Sequence, residues 1–314
     1  MNIKYYLKNP LEAGVQLLCR YGKKLSDEKY LKIMYLLRMR HRLNLDNPAT
    51  FSEKIQWLKL YDRKPEYTQM VDKYAVKDYV AKIIGDEYII PTLGVWNKPE
   101  DIEWEKLPDK FVLKTTHGGG GKSVFVCKDK KTLDKEAIVQ NLNKSLQVDI
   151  YPMLKEWPYK NVPHRIIAEK YIDPFPNVKD LPDYKWYCFG GEPKFCQVIN
   201  NRSTKETIDF FDTEWKHQDF VGLNPAHGPV FDSAGTVIEC PSHLHTHLQI
   251  ARKLSKDLPF SRIDLYETGD HTYFGEITFY PMSGLGVFKP DKYDVILGQM
   301  IALPGEKLGG GDNQ

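Results

Sequence analysis

Asp264 and Glu276 sit symmetrically about a turn in SRIDLYETGDHTYFGEITFYPMSG, residues 261–284. The segment reads as two strands joined at Gly269-Asp270-His271. With the turn centred on Asp270, Asp264 lies opposite Glu276 and Arg262 opposite Thr278. Strand side chains alternate between faces, so all four project from one side. Facing carboxylates repel unless a cation lies between them. Oxygen ligands of this kind suit Mg²⁺, which takes one or two carboxylates and completes its shell with phosphate oxygens and water. The adjacent Arg262 guanidinium suits a phosphate or a developing acyl phosphate. An exposed hairpin with scattered charges is the plainer reading of this segment alone.

A second segment points to phosphate. His117-Gly118-Gly119-Gly120-Gly121-Lys122-Ser123 looks like a Walker A loop, but that pattern needs glycine where Thr116 stands and a helix after the Lys-Ser. Val124-Phe125-Val126 follows instead, which reads as strand. A glycine run between two antiparallel strands is a flap. Its N–H groups can close over phosphates with no side chains in the way. Lys114, on the strand before the loop, can reach the same phosphates, and His117 can hydrogen-bond a phosphate or acceptor when the loop closes. The bland alternatives are a flexible hairpin tip and a loop-anchoring histidine.

Positioning these groups needs mixed structure. Residues 11–42 read as helices, and Thr50-Phe51-Ser52-Glu53 is a capping box for another. Asp72 to Ile84 reads as a helix that Gly85 stops, with Lys73 and Lys77 one turn apart near its start. After residue 108 the period changes. Strands are expected at 110–116, 123–129 and 165–172, a hairpin at 186–199 turning at Gly190-Gly191, and helices at 132–148 and 241–258. The class is α+β.

The chain has 314 residues with a net charge of +2, which implies no nucleic-acid partner. The charge is uneven: residues 1–42 carry ten Lys and Arg against three Asp and Glu. A basic end of this kind suggests contact with phosphates or an anionic membrane surface, against the ordinary reading of a solvated helix face. Five cysteines without a CxxC pair fit a reduced cytoplasmic compartment. No signal peptide is read at the start, and no apolar run approaches the roughly 18 residues that would span a bilayer. GGGDNQ at the end reads as a flexible tail.

Other residues invite chemistry less clearly. His243 and His247 have chelating spacing at a helix start, with His245 between them, yet no Cys or carboxylate of fitting sequence spacing joins them. A surface histidine cluster is the expectation. Arg202, after Asn200-Asn201 at a strand end, is a candidate for bidentate binding of a substrate carboxylate, against an exposed strand-end arginine.

In order, these elements resemble the ATP-grasp superfamily. TFSEKIQWLKLYDR, IIAEKYI, DYKWYCFGGEPK and EITFYPMSGLGVFKP are similar to its teichuronopeptide-biosynthesis (TupA-like) family over about residues 45–305. The resemblance implies an ATP–Mg²⁺ site. Lys73 and Lys114 would be its two lysines. Gly118, Gly119, Gly120 and Gly121 would form the flap. Glu169, Lys170, Tyr171 and Ile172 would be the adenine hinge, with Asp183 near the ribose. Asp264, Glu276 and Thr278 would take the metal, although Thr278 stands where the superfamily usually has Asn. The usual Rossmann-like domain before the grasp is missing. The expected layout is a helical region at 1–69, a small lobe at 70–165, a large lobe at 166–305 and a tail at 306–314.

The activity so implied is ATP-dependent carboxylate–amine ligation in bacterial surface-polysaccharide biosynthesis, joining a uronic acid to an amino compound. Lys114, His117 and Arg262 are the candidate catalytic groups. Implied partners are a small-molecule or polysaccharide-precursor substrate and, at the basic N-terminal region, a membrane or lipid-linked sugar. The rivals are a sugar kinase on the same scaffold, a glycosyltransferase and a non-enzymatic assembly protein. No D-x-D motif of a metal-dependent glycosyltransferase occurs in the chain.

Overall fold

The computed structural model describes residues 9–119, 123–174, 181–200, 206–225, 231, 233–235, 238–269 and 271–305. Five helices lead: α1 (Pro10–Tyr21), α2 (Asp27–Met39), α3 (Phe51–Tyr61), α4 (Glu66–Val71) and α5 (Ala75–Ile84). The capping box of α3 forms as read: Thr50 Oγ1 accepts from the Glu53 N–H, and Glu53 Oε2 accepts from the Thr50 N–H, both at 3.2 Å. The helix expected from Asp72 starts later. Asp72 Oδ1 accepts from the N–H groups of Tyr74 and Ala75 at 2.9 and 3.3 Å, a side-chain turn that competes with helix. Lys73 therefore lies in the link before α5, and its N–H donates to Thr116 O at 3.0 Å.

Two antiparallel sheets carry the chemistry. The first has the order β1-β4-β2-β3, from β1 (Thr92–Trp96), β2 (Phe111–Thr115), β3 (Val124–Cys127) and β4 (Ile166–Lys170). β1 had no counterpart among the expected strands. The second sheet has the order β10-β9-β5-β6-β7, from β5 (Asp183–Phe189), β6 (Glu192–Asn200), β7 (Thr207–Asp212), β9 (Phe260–Thr268) and β10 (His271–Thr278). A small pair joins β8 (Val221–Pro225) to β11 (Gly286–Lys289). The remaining helices are α6 (Lys135–Leu146), α7 (Ile150–Leu154), α8 (Leu244–Ser255) and α9 (Lys292–Gln299).

Two placements differ from the expected lobes. β4, expected to open the larger lobe at residue 166, pairs with β1 and β2, so the first sheet extends through Lys170. α5, assigned to the smaller lobe, buries Val76, Val80 and Ile84 in the same core as Ile250, Leu265 and Ile277 of the second sheet and its helix. Its apolar stripe needs a large apolar partner, and the second sheet offers the fully buried Trp186, Phe210 and Ile263. Each such side chain contributes on the order of 2 kcal/mol. The first sheet has its own core of Phe111, Leu113, Ile166 and Ala168 against Ile138 and Leu142 of α6.

The expected register holds at the acidic hairpin, by a different route. Thr268 already pairs with His271, a tighter turn than one centred on Asp270, which itself lies outside the described residues. A bulge at Gly275 then restores Asp264↔Glu276 and Arg262↔Thr278. Glycine is required there, because a Cβ would fall 2.9 Å from Asp264 O.

Candidate functional site

The hairpin's charges converge. Arg262 Nε donates to Asp264 Oδ1 at 2.6 Å and its Nη2 to Oδ2 at 2.7 Å. The same Nη2 reaches Thr278 Oγ1 at 3.0 Å and Glu276 Oε1 at 3.2 Å. Thr278 in turn donates to Glu276 Oε1 at 3.2 Å. From the link before α5, Lys73 Nζ lies 3.5 Å from Glu276 Oε2 and donates to Gly118 O at 2.7 Å. It thus straps the glycine loop to the hairpin. Burial would raise the Glu276 pKa, but Lys73, then Arg262 and Lys185, outweigh it and hold the carboxyl well below its ordinary range.

Lys185, which sequence reading passed over, is part of this cluster. It lies opposite Asp264 in the β5–β9 ladder, donates to Asp264 Oδ2 and sits 2.8 Å from Asp183 Oδ2. Asp183, expected near a ribose, is a buried member of the same charge cluster. The signal was present, since D-x-K in a strand puts both side chains on one face. Burial lifts Asp264 above the ordinary carboxylate value, against the pull of Arg262 and Lys185.

Across from the hairpin, the first sheet holds a second charge group. Glu169 was expected to act through its backbone at a hinge. Its buried carboxylate is instead the counter-ion of two lysines: Lys77 at 2.6 Å, and Lys114, which it also contacts directly. These lysines overcome the burial of Glu169 and lower its pKa. Lys77 also donates to Ile90 O at 2.6 Å. The backbone of β4 is engaged by β1 and β2, and the Lys170 N–H donates to Pro91 O at 3.0 Å. Tyr171 and Ile172 lie just past this ladder. Between the sheets, Lys73, Lys77, Glu169, Phe274 and Gly275 line a gap of only about 10 Å³. A larger cavity of about 430 Å³, between α5 and β1, shares Lys77 with the gap and reaches none of the hairpin carboxylates.

His117 stacks on His164 with ring centroids 3.6 Å apart. Neither of its ring nitrogens has a hydrogen-bond partner among the described residues. Burial, then His164, pushes its pKa down to about 4, so the ring is neutral at pH 7. Gly118 and Gly119 follow it, with Ile150 the nearest neighbour of Gly119. Gly120, Gly121, Lys122 and Arg202 lie outside the described residues.

The histidine cluster is not a surface one. His247 is fully buried, and Glu267 from β9 joins it: Oε2 lies 3.4 Å from His247 Nε2 and 3.6 Å from His243 Nδ1. The same carboxylate accepts the N–H groups of Ser242 and His243 at the start of α8. His245 points outward to Gln249. Burial and His243 drive the His247 pKa down to about 3.

A further lysine had no sequence signal. Lys59 of α3 is buried and donates to Ser283 O and Oγ, both at 2.6 Å, and to Leu154 O at 3.1 Å. Ser283 and Met282 hold left-handed φ of 58° and 47° in the turn after β10, so Lys59 clamps a strained turn five residues past Thr278. Burial lowers the Lys59 pKa to about 8.

The donor set tests the fit of a metal. Among the described residues no three His, Cys, Asp or Glu side chains form a self-sufficient cage. Two carboxylates and a hydroxyl do meet at one point, which suits Mg²⁺ supplied with phosphate oxygens better than a protein-only ion. No described helix is long and apolar enough to cross a membrane.

No curated protein matches the chain. Among solved structures, the D-alanine–D-alanine ligase of Helicobacter pylori is 14% identical, with a TM-score of 0.42 over 81% of this chain and 70% of that one. The Bacillus anthracis D-alanine–D-alanine ligase complexed with ATP is 16% identical, with a TM-score of 0.37, and the match spans 67% of this chain and 53% of that one. A RimK-domain ATP-grasp protein of Sphaerobacter thermophilus is 12% identical, with a TM-score of 0.40 over 75% and 69% of the two chains. The TupA-like ATP-grasp profile matches residues 53–302, from the capping-box helix through both charge groups, and the chain belongs to that family.

Proposed function

We propose that this ATP-dependent ligase joins a carboxylate to an amine through an acyl phosphate, with ATP lying between the two sheets. The observation that carries the reading is the meeting of Lys73, Lys185 and Arg262 with Asp183, Asp264 and Glu276 on one rigid sheet edge. Fixed cations there offset charge on a transferring phosphoryl group without reorganising. Lys114 and Lys77, held opposite by Glu169, supply the same sign from the other side. Asp264, Glu276 and Thr278 would hold Mg²⁺, which would neutralise phosphate charge.

The substrate carboxylate oxygen attacks the γ-phosphorus and ADP leaves. Arg262 faces the acyl phosphate formed. The amine nitrogen then attacks the acyl carbon, phosphate leaves with the C–O bonding pair, and the nitrogen gives up its proton. Neutral His117 beside the loop would accept it. No side-chain nucleophile is needed, because the chemistry is positioning and electrostatics. The family and the acid-directed site support a uronic acid as the carboxylate and an amino compound as the amine, in the building of a bacterial surface polysaccharide.

Hydroxylamine tests the reaction class without the natural amine. With ATP, Mg²⁺ and pooled uronic acids, hydroxamate and ADP should form together. ADP released with a uronic acid phosphorylated on a hydroxyl, and no hydroxamate, would make the protein a kinase and end the ligase reading.

A further inference from the structure

The α1–α2 surface is charged and apolar at once, and nothing in the ligase reading uses it. Lys29, Ile33, Leu36 and Arg40 follow one another at spacings of four, three and four, so they share one face of α2 and its C-cap. All four are exposed, Ile33 at 41% and Leu36 at 47%. On α1, Leu17 and Tyr21 are exposed at 56% and 66%, with exposed Arg20 between them and Lys24 one turn on. Gly14 lets the two helices approach: a Cβ there would meet Leu37 Cδ2 at 3.1 Å. The opposite faces bury Val15, Leu18, Tyr30, Leu31 and Met34 in one cluster, which fixes the pair on the body of the protein.

The charge is one-sided because the local acids are already engaged. Glu12 pairs with Arg38, Glu28 with Lys32, and Asp27 with Arg63 and Lys155. Arg20, Lys23, Lys24, Lys29, Arg40 and Arg42 make no ion pair among the described residues. The chain's +2 total leaves residues 43–314 at −5, so the basic surface is local to this end. Cations alone would suit any polyanion. Cations interleaved with large exposed apolar side chains suit a surface offering negative headgroups above an apolar layer.

We propose that α1 and α2 form a peripheral docking surface for an anionic lipid bilayer, with Leu17, Tyr21, Ile33 and Leu36 entering the headgroup boundary and the surrounding Lys and Arg meeting lipid phosphates. Docking there would hold the ligase body at the membrane without a spanning helix. The proposal is independent of the reaction class.

Co-sedimentation of the full chain with vesicles tests it. Phosphatidylcholine vesicles are compared with vesicles holding about 30% phosphatidylglycerol, at low and high salt. Binding is expected to the anionic vesicles only, and to weaken with salt. Leu17→Ser with Leu36→Ser keeps the charge and should reduce binding about tenfold. Lys29→Gln with Arg40→Gln keeps the apolar side chains and should reduce it similarly. These positions are exposed, so the thermal midpoint and any ATP turnover should stay as in wild type. No binding to anionic vesicles would overturn the proposal. So would binding that the serine pair leaves intact while the glutamine pair abolishes it, because that result describes a polyanion patch rather than a bilayer surface.

Discussion

Removing the charge of Glu169 tests whether the first sheet's lysines are held ready for phosphate. In Glu169→Gln the amide keeps the volume, while Lys77 and Lys114 lose their shared counter-ion. The side chains of all three are largely buried, at 6, 11 and 16% exposure for Glu169, Lys77 and Lys114. Stripping one partner from a buried ion pair costs about 3–5 kcal/mol. Burial already lowers the Lys77 pKa, so that ammonium can shed its proton and limit the loss, which favours about 3 kcal/mol. With about 2.1 cal/mol/K of unfolding entropy per residue, that lowers the melting temperature of a chain of this size by about 4–5 °C. Thermal melts at pH 7.5, with and without Mg-ATP, read the effect. The phosphates would replace the missing anion, so nucleotide should raise the midpoint of the variant more than that of wild type. Lys77→Met with Glu169→Gln should melt above Glu169→Gln alone, because removing both ends of a buried pair costs less than removing one. A loss under about 1 kcal/mol, or equal stabilisation of variant and wild type by nucleotide, would refute the counter-ion argument.

Arg262 grips the oxygens that a metal would need. Without nucleotide, Mn²⁺ used as a probe should therefore bind weakly to wild type and about tenfold more tightly to Arg262→Ala, read by calorimetry or paramagnetic resonance; equal affinities would show that the guanidinium does not compete. Asp264→Asn and Glu276→Gln should each abolish hydroxamate formation, Asp264→Asn with a lowered melting temperature because it strips Arg262 and Lys185 of a buried counter-ion, and turnover close to wild type in both would remove these residues from the site. Acid should destabilise the fold through its buried neutral histidines. His117 and His247 titrate near 4 and 3 in the fold, below the ordinary value near 6.5, so their contribution is complete above about 6.5 and is lost as pH falls toward 4 and then 3. Melting temperature should drop from pH 7 to 5, and less steeply in His247→Gln; identical slopes would mean that His247 is not held neutral.

The parts of the site that local spacing encodes were legible. The acidic hairpin was found because alternation fixes its face. Its register was right at Asp264 and Glu276 because the tighter turn and the Gly275 bulge compensate. Lys185 was readable by the same alternation once β5 was known to lie beside β9. The ion pairs of Glu169 were not legible, because the local pattern says strand, whereas they depend on lysines arriving from α5 and β2. His247 was misread because helical spacing cannot say which face of α8 meets Trp186 and Tyr184. Lys59 and Ser283 are 224 residues apart, and no short-range pattern joins them.

The charge arrangement also constrains the order in which a ligase at this site is loaded. Around the hairpin, three carboxylates face three cations, so the cluster is neutral by itself. Opposite it, Glu169 leaves one lysine charge in excess. A bare divalent cation would have to displace Arg262 and Lys185 from Asp264, leaving Arg262 only Glu276 and Lys185 only Asp183 as carboxylate partners, which weakens the pairing of two buried cations. A bare nucleotide would bring its phosphates to Lys73 and Arg262 while Asp264 and Glu276 stayed close, and like charges would oppose it. Were the two to arrive together, phosphate oxygens would offer Lys73 and Arg262 new partners while Asp264 and Glu276 would be free to hold the metal, so fewer buried charges would be left unpaired.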